Sequence, residues 1–584
     1  MMADLVIRNG TVVDGSGAPP RQADVAIVAQ RIVEVGPGLG RAKRELDADG
    51  LVVTPGFVDP HTHFDGQATW DPWLAPSSNH GVTSVAMGNC GVGFAPVAPD
   101  RHDWLIEIME GVEDIPGTAL YEGLRWDWES FPEYLDALER QARTIDVAAH
   151  VPHAALRGFV MGSRGADPDM HPTEDELEMM AQLLGEAIDA GALGISTSRT
   201  YRHRSSSGEN LGTLRAREPE LMALASVLRN RQAGVFQFIS DSYRALDDDY
   251  VQHEFELVRE FARQSMRPLS YSVQQDIDAP ERWRELVELA RSLCAEGFDV
   301  KTQVAPRPIG VMLGLEATRN IFSPTRAYRR LADLDLDARV IALRDPELRR
   351  KILQDHADLT GPDAFAGNAF YGRFDDMFIL DDPVNYDLDV SRSLGAQARA
   401  LGVDARDYAF DVQLRSGGHQ LIYAPLFNFA AGNLDAVREM ITSPVALFGL
   451  SDAGAHCGQI SDASMTTSYL TTWARDRDEA TRIPLPEVVH QLSRRPALHF
   501  GWRDRGLIAP GLLADLNVLD WSQLGCQPPT IARDLPAGGR RLVQSATGYR
   551  WTVKRGRVTF INGEPTGELP GRLLRAGRTH EVDA

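Results

Sequence analysis

The chain has 584 residues, 43% hydrophobic and 24% charged, which is ordinary for a globular protein and long enough for one large domain with attachments. A formal charge of −22 argues against nucleic acid or an anionic membrane as a partner. Four dispersed cysteines without a C-x-x-C point neither to a disulfide framework nor to a zinc ribbon. The absence of a basic–apolar leader or a membrane-length apolar run makes the cytoplasm the default location.

Residues 1–57 read as short strands: 5–8, an Asn9-Gly10 hairpin turn, 11–13, 24–28 and 31–35. They are too few to bury a core alone. Residues 505–584 supply the complement, with strands at 516–520, 550–554 and 557–561 before a second Asn-Gly turn, Asn562-Gly563. A β-sandwich formed by both termini is expected. Between them, short apolar runs alternate with helical stretches, the pattern of a parallel α/β fold. Candidate strands lie at 83–87, 146–150, 193–197, 234–239, 269–273, 299–304 and 445–449, with helices at 173–190 and 219–231. Adding the strand before His61 gives eight. The expected fold over residues 58–504 is a TIM-like (β/α)8 barrel, with its chemistry at the C-terminal strand ends. Residues 309–420, including a helix-like stretch at 331–354, break the alternation and read as an insertion over the barrel mouth.

Three motifs carry chemistry. The apolar run 51–54 leads into Pro55-Gly56-Phe57-Val58-Asp59-Pro60-His61-Thr62-His63-Phe64-Asp65. On an extended strand, residues i and i+2 share a side, so His61 and His63 project together as half of a metal site. Imidazole suits Zn, Fe, Ni and Cu alike, so the pair does not choose the ion. Gly88-Asn89-Cys90-Gly91 follows the strand at 83–87 and offers a thiolate, unless Cys90 is simply a small buried residue. Ser451-Asp452-Ala453-Gly454-Ala455-His456-Cys457 follows the last candidate strand. A carboxylate there can hold a metal and take a proton from water, or merely cap a helix. His150 and His153 follow the third strand. Tyr201 follows the fourth, with His203 and Arg204 in a Ser-rich loop.

Together these motifs resemble the amidohydrolase superfamily, and in particular its D-aminoacylase (N-acyl-D-amino-acid deacylase) branch, over nearly the whole chain. The resemblance implies a metal-dependent hydrolase of a small-molecule substrate, with ligands at His61, His63, Cys90 and Asp452 and with Asp452 as general base. It also implies substrate contacts at Tyr201, His153 and His456, a structural His80, and a dimer or larger assembly. Two departures refine this. The branch has a metal-binding histidine at the end of the fifth strand and another at the end of the sixth. Here those ends read Phe236-Gln237-Phe238-Ile239-Ser240-Asp241 and Tyr271-Ser272-Val273-Gln274-Gln275. One divalent ion, zinc by preference, is therefore expected rather than two. The branch also grips a substrate carboxylate with a Lys after the sixth-strand histidine and an Arg soon after the last-strand Asp. Gln275 stands at the first position, and no Arg lies between Asp452 and Arg475. The expected reaction is cleavage of the amide C–N bond of an N-acyl compound that is not a simple N-acyl-D-amino acid, unless Arg202, Arg204 or Arg307 supplies the charge. A mononuclear enzyme cleaving an ester, a lactone or a carbon–carbon bond is the alternative. A non-catalytic binding barrel comes last.

Overall fold

Eight parallel strands follow one another around a barrel: β1 (Phe57–Asp59), β2 (Val82–Met87), β3 (Asp146–Pro152), β4 (Gly194–Arg199), β5 (Val235–Ser240), β6 (Leu269–Ser272), β7 (Val300–Val304) and β8 (Ala446–Phe448). They are seen in a computed structural model that describes residues 2–360 and 366–577. Each strand pairs with its sequence neighbour, and a parallel bridge between Thr62 and Ala453 draws the last strand to the first. The His63 N–H donates to the Ala453 carbonyl at 2.8 Å, so the seam closes at the histidine pair itself. Helices cover the outside, which is why the strands are apolar and almost wholly buried. Glu174–Ala190 begins in a capping box between Thr173 and Glu176 and turns Leu184, Ala187 and Ile188 inward. The barrel expectation holds, with strand ends moved by one or two residues.

Both termini build one mixed nine-stranded sheet. Leu516–Leu519 runs antiparallel to Val52–Pro55, pairing Asn517 with Thr54, so the two ends of the chain interlock in one ladder. Leu5, Ile7, Val25, Ile27, Val53, Leu516, Val518 and Val553 form its core. Two sequence expectations are corrected here. The histidine pair does not lie on a strand: β1 is only three residues long and ends at Asp59, so His61 and His63 lie in the loop beyond it. Asn9-Gly10 is not a hairpin turn but an irregularity inside one strand, Ala3–Val12. Asn9 takes a left-handed conformation (φ 58°) within the strand, and the absent Gly10 side chain leaves room for Val53. Asn562-Gly563, by contrast, does turn the chain between Arg557–Ile561 and Glu564–Pro565.

The stretch read as an insertion leaves the barrel after β7. Its stem pairs Ile309–Leu313 antiparallel with Ile422–Phe427. Helices Leu336–Leu343, Pro346–Thr360, Leu394–Leu401 and Ala405–Gln413 pack on a separate core that includes Leu313, Ile352, Phe410 and Val412. No helix among the described residues is long and apolar enough to cross a membrane.

Candidate metal centre

The loops after β1, β2 and β8 bring four of the candidate residues together. The Nε2 of His61 lies 3.3 Å from the Cys90 sulfur and 3.2 Å from an Asp452 oxygen. That oxygen is 3.7 Å from Nε2 of His63. Donor atoms of His61, His63 and Cys90 all fall within 4.8 Å of one another, and all three side chains are buried. The backbone makes this convergence possible. Cys90 itself is left-handed (φ 56°), between Gly88 and Gly91, which share that conformation. A side chain at Gly88 would meet the His150 backbone, and one at Gly91 the backbone of Thr197 and Ser198. Asn89 ties the turn to the carbonyls of Thr62 and Ala86, and the Gly91 N–H donates to Ser196. Across the seam, the Ser451 hydroxyl donates to Asp59 at 2.5 Å and to the His61 carbonyl at 3.0 Å, setting Asp452 in place (φ 45°).

The ring orientations follow from their partners. Gln303, on β7, donates its amide to Ser270 at 3.0 Å, so its oxygen faces Nδ1 of His61 at 2.6 Å. That nitrogen must therefore carry the proton, and Nε2 keeps its lone pair toward Cys90 and Asp452. His63 differs: its Nδ1 lies 3.3 Å from Glu113 without a hydrogen bond, while Nε2 faces Asp452. Burial, outweighing the Asp452 charge, pushes the His63 imidazole down to about 4, so it is neutral at physiological pH. Burial would raise the Asp452 carboxyl, but its hydrogen bond to His63 and the nearby imidazoles hold it well below the usual range. These two shifts pull against each other, since the second draws on imidazole charge that the first removes. With His63 sealed at 1% exposure, neutral imidazole beside ionised Asp452 is the state that stands. Burial, reinforced by Glu113, Asp452 and Asp65, pushes the Cys90 thiol well up. A cation is the ordinary means of drawing a proton from such a thiol. Two imidazole nitrogens and one sulfur within 4.8 Å of one another, with a carboxylate oxygen beside both rings, fit a divalent ion of the zinc type.

The other candidates separate. His456 stands at the rim, its Nε2 3.6 Å from Glu113. His153 is not brought to the cluster. Both its ring nitrogens are engaged, by Thr197 at 2.8 Å and Glu220 at 3.0 Å, and it is fully buried, so it presents neither to a substrate. Tyr201 also turns away, lining a separate hollow with Arg215, Tyr250 and His253. His203, in the Ser-rich loop, is half-buried and turns inward. Its Nδ1 meets Ser198 at 2.8 Å, and burial together with His456 and His63 pushes it down to about 3. His80 is structural, bonded to Thr467 and to the Gln544 carbonyl.

The strand-end reading of β5 and β6 also changes. The interior positions level with the cluster are Gln237, whose oxygen accepts the Cys90 N–H at 2.9 Å, and Ser270. Gln275 points elsewhere, to the Pro280 carbonyl and the Ala430 N–H. Arg307 is no free anion hook. It is 1% exposed, paired with Asp462 at 2.7 Å and stacked 3.6 Å above the Tyr386 ring. Glu113, Gln303 and Ser270 escape sequence reasoning altogether. None sits in a motif, and His61 and Gln303 are 242 residues apart.

Residues 44–560 match the model of the amidohydrolase family. A D-aminoacylase of Alcaligenes xylosoxydans xylosoxydans is 35% identical over 201 residues, 34% of this chain and 38% of that protein, so the match spans little more than a third of its length. An uncharacterized Mycobacterium tuberculosis protein is 28% identical over 98% of this chain and 96% of its own. The solved N-acyl-D-glutamate deacylase of Bordetella bronchiseptica, complexed with zinc and a phosphonate inhibitor, superposes with a TM-score of 0.63 at 23% identity, covering 99% of this chain and all of that one. With the barrel, the terminal sheet and the clustered histidines in place, the chain belongs to the amidohydrolase family.

Proposed function

We infer that the protein hydrolyses the amide C–N bond of an N-acyl compound at a site holding one divalent ion, zinc by preference. The observation that carries this is the convergence of His61 Nε2, His63, the Cys90 sulfur and an Asp452 oxygen. Such an ion supplies Lewis acidity, polarising a carbonyl and making water acidic enough to attack near neutral pH. The residues do the rest. His61 holds its Nε2 lone pair on the site because its Nδ1 is occupied by Gln303, and Nε2 of His63 faces Asp452. Asp452, ionised at the rim of the cluster, accepts a proton from the attacking water and returns it to the leaving nitrogen. Gln237 and Ser270 at the level of β5 and β6 are poor replacements for imidazole, which favours one ion over two.

The surroundings also support a substrate without a free α-carboxylate. Gln275 is turned away and Arg307 is committed to Asp462. Arg202 lies over the Phe427 ring, and Arg204 donates to the Tyr201 carbonyl at the exposed edge of the loop. Neither Gln275 nor Arg307 offers a carboxylate a bidentate partner, the strongest recognition available to it. Assays should show faster release of amine from neutral N-acyl amides than from N-acyl-D-amino acids, and Asp452→Asn should lower turnover by roughly 10²–10⁴-fold. Preference for the carboxylates would overturn the substrate assignment, and near-parental turnover in Asp452→Asn would overturn the role of that residue.

A further inference from the structure

The segment between β2 and β3 contributes a carboxylate with no evident structural purpose. Glu113 is the last residue of the helix His102–Glu113 and is 1% exposed. No lysine or arginine pairs with it among the described residues. Its neighbours are imidazoles: Oε1 lies 3.3 Å from Nδ1 of His63 and Oε2 lies 3.6 Å from Nε2 of His456. Glu113 Oε1 and His63 Nδ1 are both buried and neither has a hydrogen-bonding partner, although each lies within 3.3 Å of the other. Burying a carboxylate without a cationic partner is unfavourable, so apolar packing alone would not select it.

The corner that places Glu113 is built firmly. Asp114 takes a left-handed conformation (φ 51°) and ends the helix, turning Glu113 toward the barrel mouth. The Asp114 carboxylate accepts the Gly458 N–H at 3.1 Å and the Thr318 hydroxyl at 3.1 Å. The Glu113 carbonyl accepts the His456 N–H. One corner thus grips the loop after β8, which carries Asp452 and His456, and touches the insertion through Thr318.

We propose that Glu113 is the positioning residue of the cation site, its carboxylate holding the Nδ1–H of His63 so that Nε2 faces the ion. This rests on the reading of His63 as a ligand. His61 receives the same service from the neutral oxygen of Gln303. The Glu113 backbone carbonyl accepts the His456 N–H, making Glu113 the link between one ligand and the loop that carries another.

The test is zinc affinity of the full-length protein, measured by competition with a chromophoric chelator, for the parent and for Glu113→Ala, Glu113→Gln and Glu113→Asp. The absorption spectrum of the cobalt-substituted proteins reports ligand geometry. Zinc binding should weaken about 10–100-fold in Glu113→Ala, with a changed cobalt spectrum, and Glu113→Asp should recover part of the loss. If Glu113→Ala does not fold, the near-isosteric Glu113→Gln decides, with a smaller loss in the same direction. Folded Ala or Gln variants with parental zinc affinity and an unchanged spectrum would overturn the proposal while leaving the hydrolase reading intact. A parent that binds no zinc would overturn the metal reading and this inference with it.

Discussion

Each candidate ligand depends on a residue that contributes nothing to the chemistry directly. His61 is the clearest case. Gln303 can hold Nδ1–H only because its own amide is committed to Ser270, so two uncharged side chains on β6 and β7 determine which nitrogen of His61 faces the site. Gln303→Leu keeps approximate volume and removes that acceptor. It should weaken zinc binding by about tenfold or more, while leaving thermal stability within about 1.5 kcal/mol of the parent. Unchanged zinc affinity, measured by chelator competition, would contradict this account of His61. At this scale the sequence was partly legible. His61, His63, Cys90 and Asp452 stand in short motifs whose local spacing brings them to strand ends. Glu113, Gln303 and His203 are ordinary residues on their own elements, made neighbours only by barrel closure. Tyr201 and His153 failed as site candidates because strand-end position does not say which way a loop turns its side chain.

Elements outside the site are pinned by buried charge. Arg157, on the helix His153–Met161, is fully buried and donates to both oxygens of Glu220, at 2.7 and 2.6 Å, on the helix Glu218–Arg231. His153 donates to the same carboxylate, so one glutamate joins the helices His153–Met161 and Glu218–Arg231. Burial would raise the Glu220 carboxyl, but His153 and Arg157 outweigh it and hold it at about 2. Its folded value lies below its unfolded one, so this stabilisation is full above about pH 4–5. It is lost as pH falls toward 2. Glu220→Ala, which strands Arg157, should destabilise the protein by about 3–5 kcal/mol at pH 7, with the difference shrinking under acid. Calorimetry of both proteins at pH 7 and pH 3 checks this, and a difference below about 0.5 kcal/mol at pH 7 would contradict it. The helix Glu174–Ala190 was readable in part because Thr173 caps its start. The Asn9-Gly10 pair misled because its left-handed geometry serves a strand irregularity as well as it serves a turn.

On the scale of the molecule, the terminal sheet and the barrel are welded rather than tethered. Asp146, at the start of β3, receives Lys554 at 2.8 Å, Arg505 at 2.6 Å and Arg555 at 3.0 Å, all buried. Lys554 also reaches Asp515 at 2.7 Å. This cluster joins the C-terminal strands to the start of a barrel strand, the end opposite the candidate site, where such interactions serve stability. The overall architecture was legible because alternating strand and helix periods permit few arrangements of this length. The interlocking of the two termini was legible because neither half could bury a core alone. What the sequence left open is the content of the mouth, where the loops after β1, β2 and β8 meet residues from β6, β7 and the helix ending at Glu113.

The most direct test of the central claim is the metal content of the whole chain, purified without added metal, beside His61→Ala and Cys90→Ala. The account predicts about one ion per chain in the parent and loss of that ion in both variants. Two ions per chain, or none after zinc is supplied, would contradict it.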